Sequence, residues 1–252
     1  MARWLVLVAL AAILLARPGV AGAGPFSDWA AIVVAGDYHA AHSEQQTEAF
    51  DNARRDVAAE LVRKGFSPGN VLQFSVRPER YADTRPGKAD LEPIYDGLKA
   101  LAQRATAGCL IYFSSHGAPQ GVVLNDHMLP PALMDDMVQS ACGSRPTIVI
   151  ISACFSGVFI DAMKANNRMI LTAARPDRAS FGCGESDRYP FFDTCVLKVW
   201  PEVHDFAAIG PKVQACVAAR EIELGAAPPS EPQLYIGPGL RPILPLMAFP
   251  PG

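Results

Sequence analysis

The 252-residue chain has no block of basic residues, no zinc-type spacing of Cys or His, and no internal repeat. Without a lysine- or arginine-rich stretch there is no electrostatic footprint for nucleic acid, so none is expected as a partner. Neither CxxC nor HxxxH occurs; His39 and His42, three apart, come nearest. Neither a metal nor any other cofactor is therefore expected. Beyond residue 23 no apolar run is long enough to cross a bilayer. Lack of a repeat argues against a solenoid or propeller.

The one long apolar run sits at the start. After Met1-Ala2-Arg3, Trp4–Ala16 is uninterrupted, and Arg17-Pro18-Gly19 breaks it. As a helix this run rises only about 20 Å, against roughly 30 Å of hydrocarbon core. Ala21-Gly22-Ala23 then supplies a small-x-small cleavage pattern. A signal peptide over residues 1–23 is predicted, in preference to a short uncleaved anchor. The protein is thus expected to be exported, periplasmic or secreted, with no stable membrane insertion after cleavage. Two of the 22 basic residues, Arg3 and Arg17, fall in that leader, leaving 20 against 25 acidic ones. Residues 24–252 suit a single domain with one large core. Its last 25 residues hold eight of the 22 prolines and read as extended chain over the surface.

Apolar runs ending in glycine or small polar residues predict buried strands at Trp29–Gly36, Cys109–Ser114, Thr147–Ile151 and Met169–Ala173. Val71–Val76 and Gln233–Ile236 add two more. Between them, Glu48–Lys64, Asp90–Arg104, Pro131–Ala141, Val158–Ala165, Phe191–Trp200 and Phe206–Leu224 carry helical periodicity. Gly121–Leu124 and Asp126–Leu129 flank Asn125 as a short hairpin. Strands alternating with helices predict an α/β fold with a mostly parallel central sheet flanked by helices.

Two strand ends hold the chemistry. Thr147–Ile151 runs into Ser152-Ala153-Cys154-Phe155-Ser156-Gly157, and Cys109–Ser114 into Ser115-His116-Gly117. A parallel sheet places its ligands at the carboxyl ends of its strands. Cys154 and His116, 38 positions apart, would then share one rim. Were a helix to start at Phe155 or Ser156, its free N–H groups would face the sulfur and favour the thiolate. An unpaired Cys is often a small core hydrophobe and a strand-end His is often structural. Their pairing favours a thiolate nucleophile with an imidazole acid/base.

Ile111–Gly121, IYFSSHGAPQG, and Ile148–Gly157, IVIISACFSG, resemble the His-Gly and Ala-Cys-x-Ser-Gly signatures of legumain-type (asparaginyl endopeptidase) cysteine peptidases, which belong to the caspase-like clan. Leu171–Cys183, LTAARPDRASFGC, is similar to the stretch that follows the legumain nucleophile. The likeness is strongest to a secreted bacterial form. It implies a caspase-like three-layer sandwich, with Cys154 as nucleophile, His116 as general acid/base, and the backbone N–H groups of Gly117 and Cys154 as oxyanion hole. The function implied is a cysteine endopeptidase acting on peptide or protein substrates through a thioester, which an amine could also capture. A catalytically silent caspase-like module that binds peptides or a periplasmic partner is the alternative.

The chain departs from the family where specificity is set. Ser152 stands two places before the nucleophile, where legumain has Glu. Ser180 matches one pocket serine, and Asp187 is the candidate pocket acid. Arg54 or Arg55 is either a pocket cation or a solvated helix face. The third catalytic member, an Asn in legumain, corresponds to Asn52 or to nothing. With Cys154 free, five cysteines remain. Cys109 reads as a packed thiol, leaving Cys142, Cys183, Cys195 and Cys216 for two bridges in one of three connectivities. Cys195–Cys216 is favoured, because the two lie on consecutive helices.

Overall fold

The computed structural model describes residues 24–41, 43 and 45–250; the predicted signal peptide and His42 lie outside them. In chain order the strands are β1 (Trp29–Ala35), β2 (Val71–Ser75), β3 (Gly87–Lys88), β4 (Gly108–Ser114), β5 (Gly117–Ala118), β6 (Gly121–Leu124), β7 (His127–Leu129), β8 (Thr147–Ser152), β9 (Arg168–Thr172) and β10 (Gln233–Ile236). The helices are α1 (Ala49–Arg63), α2 (Leu91–Arg104), α3 (Pro131–Cys142), α4 (Val158–Met163), α5 (Phe191–Val199) and α6 (Ile209–Leu224). The main sheet runs β10-β9-β8-β4-β1-β2-β3, parallel except for β10.

The two-residue period of the strands divides the core into two faces. Trp29, Ala31 and Val33 of β1, Leu110 and Tyr112 of β4, and Ile148 and Ile150 of β8 face α1, α5 and α6. Their alternates, Ala30, Ile32, Val34, Cys109, Ile111, Phe113, Val149 and Ile151, face α2, α3 and α4. Both faces being covered explains why β1, β4 and β8 are apolar nearly throughout. The chain turns outward from β1 to β2 and β3, then returns on the other side of β1 as β4. This reversal opens a crevice above the ends of β1 and β4.

Most predicted elements fall within a residue or two of those observed, the hairpin included: Leu124 pairs with His127, and Asn125 takes φ 55° in the turn between them. Three expectations change. First, Phe206–Ala208 is a 3₁₀ turn whose Ala208 amide donates to the Asp205 side chain, so α6 starts at Ile209. Secondly, the proline-rich tail does more than cover the surface. Nor is it extended chain: after β10 it folds into consecutive turns and a 3₁₀ turn at Leu244–Leu246, which direct Leu240, Leu244 and Phe249 into the core, where the Phe249 ring lies 4.9 Å from that of Phe206.

Thirdly, Cys109 is no packed thiol. It is bonded to Cys142 at the end of α3, and Cys195 is bonded to Cys216, as favoured; Cys154 and Cys183 are free. Cys109 points from β4 into the α2/α3/α4 face, where Cys142 meets it. Cys183 lies in the loop between β9 and α5 and pairs with no cysteine.

Candidate active site

Four strand ends supply one cleft of about 450 Å³. His39, Ala40 and Ala41 follow β1, His116 and Gly117 follow β4, Cys154 and Phe155 follow β8, and Ala179–Phe181 and Cys183 follow β9. The structure thus brings His116, Gly117, Cys154 and Ser180 together, as their strand-end positions imply.

At the β4 end, the buried Ser115 hydroxyl donates to the Val123 carbonyl at 2.8 Å, and the Val123 amide donates to the His116 carbonyl at 2.9 Å. The small antiparallel sheet so pins the backbone on either side of the imidazole. The ring packs edge-on against Phe50, with centroids 4.9 Å apart. Its Nε2 lies 2.9 Å from the backbone carbonyl of His39. A carbonyl only accepts, so Nε2 holds the proton and Nδ1 keeps the lone pair in the neutral ring. That carbonyl is held in turn by Asp37, whose Oδ1 accepts from the amides of Tyr38 (2.6 Å) and His39 (3.1 Å) and from His39 Nδ1 (2.7 Å).

At the β8 end, Phe155 adopts φ 58°, a left-handed conformation that is costly for a bulky residue. Its amide donates to the Arg178 carbonyl at 2.7 Å, which fixes the turn against the β9 loop. Ser156 Oγ accepts from the Ala174 amide at 3.2 Å. The helix begins later than Phe155 or Ser156: α4 starts at Val158, and the amides of Val158, Phe159 and Ile160 donate to Phe155, Ser156 and Gly157. Among the described residues no amide of the first turn of α4 bonds the sulfur. Instead Cys154 Sγ accepts from the Ser180 amide at 3.2 Å, with Ser180 Oγ at 3.6 Å. The Cys154 amide has no acceptor among the described residues. Gly117 seats the two strand ends against each other, since a Cβ there would lie 2.2 Å from the Cys154 carbonyl oxygen.

Of the three pocket candidates, only Ser180 lines the cleft. Ser152 is buried below it and donates to Asp193 at 2.7 Å, because its side chain continues the inward row of Ile148 and Ile150. Asp187 accepts from the Gly184 amide at 2.8 Å and braces its own loop. Asn52 donates to the Arg188 carbonyl at 3.1 Å and accepts from Arg55 at 2.9 Å; His39 has the partner position on His116. Arg54 is fully buried and paired with Asp51 at 2.8 Å, neither solvated nor in the cleft. Among the described residues no group of three or more His, Cys, Asp or Glu is placed to hold a metal ion.

Sequence reasoning gave no site role to Asp37, the His39 carbonyl, Phe155 or Asp193, and took Cys183 as a bridge candidate, whereas it is a free thiol at the cleft. Asp37, next to the glycine that ends β1, had a readable signal in its position. A backbone carbonyl has none, since every residue carries one. Burial pushes the Cys183 thiol up to about 12, with nearby Cys154 and Asp187 adding to the shift.

The Peptidase C13 family profile matches residues 62–209, which include both strand ends. No curated protein sequence matches significantly. Among solved structures, that of caspase-1 from Spodoptera frugiperda aligns with a TM-score of 0.60 at 15% identity, covering 85% of this chain and 88% of the other. The sandwich described above is therefore a caspase-like fold.

Proposed function

Because this chain belongs to the Peptidase C13 family of legumain-type cysteine peptidases, we propose that it is an endopeptidase whose nucleophile is Cys154 and whose acid/base is His116. The observation that carries the reading is the cleft itself, in which both side chains stand on adjacent strand ends. The Cys154 sulfur attacks the scissile carbonyl carbon, and the amides of Cys154 and Gly117 receive the developing oxyanion. His116 takes the thiol proton at Nδ1 and hands it to the leaving amine as the C–N bond breaks. Water, deprotonated by the same nitrogen, then resolves the thioester; an amine in its place would give ligation. Ser180 contacts the substrate beside the sulfur. Two disulfides fit an oxidising compartment, and export behind a leader over residues 1–23 is part of the proposal.

The test is hydrolysis of a fluorogenic peptide panel by the wild type and by folded Cys154→Ala and His116→Ala variants. Loss of cleavage in both supports the dyad. Cleavage surviving either change removes it, and an inert wild type with an unreactive Cys154 favours a silent binding module.

A further inference from the structure

Beneath the cleft lies a carboxylate that the chemistry just described leaves unused. Asp193, on the first turn of α5, is fully buried. Its Oδ2 accepts from Ser114 Oγ and from Ser152 Oγ, each at 2.7 Å, and its Oδ1 accepts from the Tyr112 hydroxyl. Among the described residues no cation pairs with it.

A buried carboxylate without a counter-ion is expensive, and the same face of the sheet is otherwise filled by Leu110, Ile148 and Ile150. Apolar side chains would fill the space at lower cost. What they could not do is bridge two strands at one point. Ser114 and Ser152 are direct partners in the β4–β8 ladder; one stands two residues before His116, the other two before Cys154. The helix that presents Asp193 also begins at the cleft wall, where the Phe191 amide donates to the Phe181 carbonyl at 2.9 Å.

Taking the Cys154–His116 reading as given, we infer that Asp193 is a positioning residue: through one oxygen it ties together the two strand ends that present the imidazole and the sulfur. It touches neither substrate nor reacting atoms. Its work is to hold the spacing and orientation of the two side chains, on which attack geometry depends.

The experiment compares Ser114→Ala, Ser152→Ala, their double variant and Asp193→Asn with Ser230→Ala. Ser230 is also buried and also donates to a buried carboxylate, Glu221, but it bonds to neither β4 nor β8; its carbonyl accepts from the Arg175 amide after β9. The serine variants at the strand ends should each lower kcat about tenfold with KM little changed. Their double variant should fall well short of the product, because both act through one oxygen. Ser230→Ala should lower Tm to a similar extent and leave kcat alone. The ¹³Cε1 resonance of His116 should move in the strand-end variants and stay put in Ser230→Ala, a readout that needs no turnover. Should Asp193→Asn fail to fold, the serine variants decide.

Wild-type kcat with lowered Tm in both strand-end serine variants would overturn the inference, as would an unmoved His116 resonance. A wild type that cleaves no peptide removes the peptidase reading alone; the resonance still tests the clamp.

Discussion

The imidazole of His116 is oriented by the main chain of His39: Nε2 donates to that carbonyl at 2.9 Å, and Asp37 holds the turn that supplies it. Orientation therefore depends on the turn and little on the His39 side chain. Asp37→Ala removes the acceptor of two amides and one imidazole. It should cost about 1–3 kcal/mol of stability and lower peptide kcat about tenfold through a misplaced base. His39→Ala keeps the carbonyl and should lower kcat less. Steady-state kinetics with thermal unfolding decide; equal kcat losses would show that the His39 ring matters as much as its backbone.

Gly117 gives a sharper geometric prediction. A methyl group there meets the Cys154 carbonyl oxygen at 2.2 Å, and neither backbone has a flexible side chain to yield. One strand end must move by a large fraction of an ångström, so Gly117→Ala should lose on the order of a hundredfold in kcat. Gly143 is the comparison. It takes φ 60° and ψ −132° at the end of α3, a conformation nearly confined to glycine, with nothing within 4 Å, so alanine there should cost about 1–3 kcal/mol of stability and no activity.

Much of this fold was legible because burial on both faces writes itself into sequence as runs of β-branched and aromatic residues: Ile32–Val34, Leu110–Phe113 and Ile148–Ile151 could hardly be anything but central strands. That Cys154 and His116 would line one cleft was legible because adjacent parallel strands bring their ends to one rim. What could not be read depends on direction and on main chain. Phe155 in a left-handed turn delays α4 to Val158, and nothing in a phenylalanine announces that conformation. Ser152 looks like a pocket residue until the strand's parity turns it downward to Asp193. Cys109 looks like any buried thiol, because a bridged cysteine is just as apolar, and its partner is defined only when α3 packs on β4.

Burial raises the Asp193 carboxyl from the ordinary 3.8 to about 6, against the opposing pull of the hydroxyls of Tyr112, Ser152 and Ser114. Tyr112 itself is held far above its usual range by burial and by Asp193, and it stays neutral. The folded state thus holds the Asp193 proton more tightly than the unfolded chain. This stabilisation is complete below pH 3.8 and is lost as pH rises through 6, amounting to about 3 kcal/mol over that window. Asp193→Asn cannot titrate, so urea midpoints of wild type minus variant should fall between pH 4 and 6.5 and then level off. Parallel curves across that range would contradict the shift.

Two free thiols share the cleft, and they should differ in reactivity. Alkylation proceeds through the thiolate. With its pKa pushed up to about 12, Cys183 carries a negligible thiolate fraction at pH 7.5. It should react on the order of a thousandfold more slowly than a free cysteine of pKa near 8.5. Cys154 is placed differently: it is half-buried at the cleft, its sulfur 3.2 Å from the Ser180 amide and 3.5 Å from the Ser180 carbonyl, where the proposed mechanism needs a nucleophile that reagents can reach. Iodoacetamide at pH 7.5, followed by peptide mapping, should therefore mark Cys154 and spare Cys183. In the Cys154→Ala variant Cys183 loses the contribution of Cys154 but keeps its burial, so at pH 7.5 it should still label far more slowly than a free cysteine, provided the chain is still folded by near-ultraviolet circular dichroism. Rapid labelling of Cys183 at neutral pH would mean that the β9 loop opens readily, exposing that thiol to water and lowering its pKa. The wall of the cleft that Cys183 shares with Ser180 would then be a moving part and no fixed support for the sulfur.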